Sequence, residues 1–173
     1  MTRSGAQAGD VVFVSGTIGD AALGLRVLSG EFAGLDKEAA DFLIARYQLP
    51  EPRLELGRRL TGLASAGMDI SDGLAADLGH ICEASNLGGR IDASRVPLSP
   101  AVQAALAVDL SLMKTILGGG DDYELLFTAA PEHESEIMAL GDSMNLQLTA
   151  VGTTLEDGGV VVRDDYGAEI VMN

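Results

Sequence analysis

The sequence predicts an α+β domain in which a mixed β-sheet is flanked by helices, and three observations lead there. The chain has 173 residues, of which 47% are apolar and 21% charged, a size and balance suited to one globular core that buries roughly two thirds of the extended surface. Short β-branched runs and helical runs both occur along it. Their order departs from a regular βαβ series, so the sheet is expected to be mixed. No internal repeat or low-complexity linker divides the chain, and a single domain over 1–173 is expected.

In chain order, the β-branched run VVFVS after Asp10 reads as a strand, followed by a turn over 17–20 and a helix over 21–28. A second helix spans 36–48, with Phe42, Leu43, Tyr47 and Leu49 near one side and Pro50 as its stop. Residues 53–63 read as a third helix and 66–70 as a short strand. Ser71 or Asp72 then opens a helix to about Asn86. On that helix Leu74, Leu78, Ile81 and Cys82 share an apolar face, which makes the single cysteine a buried structural thiol and leaves Asp77 and His80 toward solvent. Residues 89–93 form a strand, 100–108 and 110–117 short helices, 123–129 a buried strand and 132–140 a helix. The last strands are expected at 146–153, 160–163 and 168–172.

Charge narrows the function. The net charge is −15, and residues 101–173 carry 13 acidic groups against 2 basic ones. Such a surface repels nucleic acid and anionic lipid. A phosphorylated ligand remains compatible with it where divalent cations bridge phosphate to carboxylate. The opening MTRSGAQAGD has no apolar core of a signal peptide, and no apolar run approaches the ~18 residues of a membrane span. A cytoplasmic location is therefore expected.

Two acidic stretches carry the candidate chemistry. In GMDISDGLAADLGH, residues 67–80, Asp69, Ser71 and Asp72 precede a helix. One of them explains an N-cap, worth ~1 kcal/mol, but three oxygen side chains exceed what capping needs. The alternative is that both carboxylates hold Mg²⁺ while the helix N–H groups face phosphate oxygens. A calcium loop is excluded, because Gly73 is the fifth position from Asp69 and His80 stands where a glutamate would be needed. The second stretch is LGGGDDYELLF, residues 117–127, where three glycines permit close backbone approach before Asp121 and Asp122. By itself it reads either as a loop of solvated acids or, beside the first stretch, as more carboxylates for a cation. The turn SGTIGDAALGL, residues 15–25, lacks the signatures of a phosphate-cradling loop. His80 and His133 have no companions at zinc spacing, and Ser71 sits in no nucleophile elbow.

Taken together and in order, TRSGAQAGDVVFVSGTIGDAALGL, MDISDGLAADLGHI and GGGDDYELLFTA resemble the C-terminal domain of the thiamine-monophosphate kinases. That family lies in the superfamily that includes aminoimidazole ribonucleotide synthetase and selenophosphate synthetase. The resemblance covers nearly the whole chain and implies that superfamily's C-terminal fold. It also implies ATP-dependent, Mg²⁺-dependent phosphorylation of thiamine monophosphate to thiamine diphosphate. By position, Asp69 and Asp72 resemble the family's Mg²⁺ ligands, Ser71 and Arg3 its ATP contacts, and Asp121 a substrate contact where many members have glutamate. Members carry an N-terminal domain before this segment that supplies further aspartates, most of the nucleotide site and the main homodimer contact. The chain is accordingly expected to be a C-terminal piece with little activity alone. Two other readings stay open: another ATP-using member of the superfamily, or a binding or assembly module without catalysis.

Overall fold

Period-two alternation decides the two faces of the sheet. In β1, Val11–Ser15, Phe13 points to one face while Val12 and Val14 point to the other. β4, Leu125–Ala129, pairs antiparallel with β1 and sets Phe127 opposite Phe13. Their rings stack with centroids 5.3 Å apart. The computed structural model describes residues 1–172 and completes the sheet with β2 (Ala64–Asp69), β3 (Gly88–Asp92), β5 (Leu148–Leu155) and β6 (Val160–Arg163). The strand order is β2-β4-β1-β5-β3-β6. Every neighbouring pair is antiparallel except β3 and β6, so the mixed sheet expected from the element order is present.

Helices cover both faces. α4 (Leu74–Ser85) lays Leu74, Leu78, Ile81 and Cys82 on the Val12/Val14 face. The Cys82 thiol is buried and its pKa is pushed up to about 11 by desolvation, as a structural thiol requires. α3 (Leu54–Arg59) and α7 (Glu134–Met144) close the Phe13/Phe127 face through Leu56 and Ile137. A third apolar cluster joins α1 (Asp20–Leu28), α2 (Lys37–Gln48), α5 (Pro100–Val108) and α6 (Met113–Gly118) around Leu23, Leu43, Val102 and Ile116. Local capping starts two of these helices. The Asp36 carboxylate accepts from the Ala39 N–H at 2.8 Å, and the Ser99 hydroxyl accepts from Val102 at 3.1 Å ahead of Pro100. Among the described residues no helix is long and apolar enough to cross a membrane.

Several boundaries differ from expectation, for physical reasons. The expected strand over 168–172 is absent from the sheet; one isolated bridge, Arg163 to Glu169, is all that forms. α3 stops at Arg59 and turns at 60–63 to feed β2. α4 opens at Leu74 rather than at Ser71 or Asp72, because Gly73 at φ 116° breaks the helical path. β4 begins at Leu125 rather than Tyr123, because Asp121 and Tyr123 adopt left-handed φ values of 69° and 51°.

Candidate functional site

Pairing of β2 with β4 sets Asp69 opposite Leu125, so the loop leaving β2 and the loop entering β4 run side by side. Backbone bonds continue the ladder past the strands. The Ile70 N–H donates to the Glu124 carbonyl at 2.8 Å, Tyr123 to Ile70 at 2.9 Å, and Asp121 to Ser71 at 3.1 Å. This approach depends on glycine: a Cβ on Gly120 would lie 2.0 Å from the Ser71 carbonyl oxygen, and one on Gly73 2.5 Å from that of Gly118. The ladder also holds Asp121 and Tyr123 in the left-handed region, a conformation that costs non-glycine residues on the order of 1 kcal/mol or more.

Three carboxylates converge at this edge. The Tyr123 hydroxyl donates to Asp121 Oδ1 at 3.3 Å. The negative charge of Asp121, with smaller contributions from Asp69 and Asp72, raises the Tyr123 pKa. Asp69 and Asp72 are exposed and Asp121 and Ser71 half-buried. The Ser71 hydroxyl reaches Asp72 Oδ1 at 3.5 Å. Arg3 is exposed, and the segment that carries it is fixed along β2 by the Gly67 N–H donating to the Thr2 carbonyl at 2.8 Å. The structure thus joins Asp69, Ser71, Asp72 and Asp121, whereas Arg3 has no ion pair among the described residues.

Two expectations for α4 are overturned. Asp77 is fully buried, and its Oδ2 accepts the N–H groups of Ser71 at 2.9 Å, Asp72 at 3.0 Å and Gly73 at 3.2 Å. Those amides therefore do not face a ligand; a carboxylate of the chain already occupies the anion position at this helix start. His80, one turn on, is half-buried with Nε2 3.7 Å from Asp72 Oδ2. One ligand atom each from Asp72, Asp77 and His80 lie within 4.8 Å of one another.

The second stretch also departs from the picture of solvated acids, since Asp122 and Glu124 are buried. Glu124 is the centre of an ionic hub. Arg53 grips it in a fork, Nε to Oε2 at 2.8 Å and Nη2 to Oε1 at 2.6 Å. Arg46 Nη2 reaches Oε1 at 2.9 Å and the Ser15 hydroxyl donates to Oε2 at 2.6 Å. Arg46 extends the hub to buried Asp20 at 3.6 Å, which also accepts from Ser99 at 2.5 Å. Asp122 accepts from the Gly19 N–H at 2.7 Å and from Ala21 at 3.0 Å, anchoring α1. Arg53 further lines a groove of about 320 Å³ with Leu54, Asp69, Tyr123 and Leu125, so the hub borders the acidic edge. The sequence reading placed Asp77 toward solvent and assigned no role to Arg46, Arg53 or Glu124. The available signal was acids and arginines beside apolar strand and helix positions, which fixes neither burial nor partner.

Burial raises three of these carboxyls. Desolvation pushes Asp122 up to about 7 against the pull of its two N–H donors, and it also raises Asp20 and Asp77. A folded-state pKa above the unfolded value means that the native state binds more protons, so this stability is fully present below about pH 4 and is lost progressively as pH rises to about 7. Thermal melts should therefore show a higher Tm at pH 5 than at pH 8. A Tm that is flat or rises over that range would remove the assignment.

Exposed Asp69 and Asp72 and half-buried Asp121 supply oxygen donors of the type a hard divalent cation takes, Arg46 and Arg53 are already committed to Glu124, and among the described residues the donor atoms gathered within 4.8 Å are those of Asp72, Asp77 and His80. Fold and site together define an α+β domain with an acidic edge at the β2–β4 end of its mixed sheet. Residues 7–165 match the family model described as AIR synthase related protein, C-terminal domain, and the chain belongs to that family. It is 40% identical over 167 residues to the thiamine-monophosphate kinase of Escherichia coli strain K12, covering 95% of this chain and 51% of that protein. The crystal structure of the Stenotrophomonas maltophilia K279a thiamine-monophosphate kinase matches with a TM-score of 0.86 at 40% identity, over 94% of this chain and 52% of the other. The structure of AaThiL complexed with AMPPCP and TMP matches with a TM-score of 0.80 at 34% identity, over 97% and 51%. The chain spans about half the length of the curated relatives it matches.

Proposed function

We propose that this chain is the C-terminal domain of an ATP-dependent thiamine-monophosphate kinase that forms thiamine diphosphate in the cytoplasm. The observation that carries the reading is the convergence of Asp69, Asp72 and Asp121 on one edge beside the Tyr123 groove, in a chain 40% identical to such kinases over nearly all its length. Asp69 and Asp72 would hold Mg²⁺, which, when bound, neutralises phosphate charge and keeps the phosphoryl group in line. Ser71 and Arg3 would contact ATP, and Asp121 the acceptor. The chain would act with the family's N-terminal domain and within a homodimer, since phosphoryl transfer is mostly positioning plus charge neutralisation and one edge supplies part of each. Asp121 lies half-buried and in contact with Tyr123.

An acceptor panel tests this. With a matching N-terminal domain joined to the chain, ATP and Mg²⁺ should convert thiamine monophosphate to thiamine diphosphate and leave aminoimidazole precursors and selenide untouched. The chain alone should show no turnover. Use of either competitor with none of thiamine monophosphate would move the assignment to a sibling enzyme. Binding of thiamine monophosphate without turnover in the joined protein would favour a binding module.

A further inference from the structure

We propose that Asp77 is a positioning residue that makes the binding of phosphorylated ligands at this edge dependent on a cation, an inference that rests on the proposed function. Three successive N–H groups before a helix ordinarily form an anion niche. Here the niche is filled from within, because Asp77 Oδ2 accepts all three at 2.9 to 3.2 Å. The loop consequently offers a phosphate no free amide from Ser71 to Gly73. What it offers outward is the carboxylates of Asp69 and Asp72, which repel an anion unless a divalent ion intervenes.

The same bonds set the loop's shape. With the amides of residues 71–73 drawn to Asp77, the carbonyls of Ile70 and Ser71 turn to Tyr123 and Asp121, which brings Asp121 beside Asp69 and Asp72. His80, at 3.7 Å from Asp72, lies on the same side of α4 one turn later. Asp77 touches no reacting group. It acts through the aim of Asp72 and through the amides it withholds.

The test uses this chain, isotopically labelled, with ADP as probe and amide signals as readout. In wild type, the amides of Ser71, Asp72 and Gly73 should exchange slowly and should shift with ADP in the presence of Mg²⁺ but not in EDTA. Asp77→Ala should accelerate exchange at all three by about a hundredfold or more, the loss of charge-assisted bonds, and should let ADP or inorganic phosphate shift them in EDTA. Asp77→Asn keeps an acceptor of the same shape and should fall between the two, with retained cation dependence, which separates positioning from a general loss of folding. Shifts of the wild-type amides by ADP in EDTA, or an Asp77→Ala variant with wild-type exchange, would overturn the proposal. If ADP shifts nothing in wild type even with Mg²⁺ while phosphate enters the Asp77→Ala niche, Asp77 keeps its withholding role and the nucleotide reading of the edge fails.

Discussion

On the proposed function, Asp69→Asn and Asp72→Asn should each reduce phosphoryl transfer by more than about a hundredfold in the chain joined to a matching kinase N-terminal domain, since removing even an outer partner of a metal ligand costs roughly 10–100-fold. Stability should move little and in the opposite direction. Both carboxylates are exposed and lie at the same acidic edge as Asp121, so neutralising one removes a like charge and should leave Tm unchanged or slightly raised. A capping role predicts a different outcome: asparagine caps about as well as aspartate, so both activity and Tm would survive. Steady-state rates over a Mg²⁺ series and melts on the same preparations separate the two. Full activity in both variants would remove the metal assignment.

Glu124→Ala should cost about 3–5 kcal/mol, the range for breaking a buried ionic cluster from one side. The cost arises from what stays behind. Arg46 and Arg53 side chains are 13% and 20% exposed and close on a glutamate that is 1% exposed; without it, Arg46 keeps only Asp20 at 3.6 Å and Arg53 only the exposed Glu51 at 3.1 Å, and the N–H groups that pointed at Glu124 lose their acceptor in a desolvated site. Ser15 loses the acceptor for its hydroxyl while still receiving the Leu125 N–H at 2.8 Å. Glu124→Gln retains shape and one acceptor and should cost about 1–3 kcal/mol. Urea denaturation of the three proteins measures this, and a Glu124→Ala midpoint within error of wild type would show that the hub contributes nothing to folding.

Legibility in the sequence followed the range of the interactions. β1, α2 and α5 were readable because residue patterning and proline act within a few residues; the caps at Asp36 and Ser99 came from the structure. The apolar tail over 168–172 misled, because apolar and β-branched residues state a preference for a strand and not whether an edge is available; only the bridge from Glu169 to Arg163 forms.

At the site, the sequence by itself determined which residue types stand in which order: two acidic loops, glycines where backbones approach, and the motif set that resembles one kinase family. It left open whether Asp69, Ser71 and Asp72 cap a helix or face a ligand. Tertiary structure decided what touches what. Adjacency of β2 and β4, with Asp69 opposite Leu125, brings loops some fifty residues apart into one edge. Folding turned Asp77 inward onto the Ser71–Gly73 amides, and it buried Glu124 among arginines from α2 and from the loop before α3. The physical reason is that a carboxylate's role is set by its solvation and its partners, and both are properties of the packed chain rather than of the residue or its sequence neighbours.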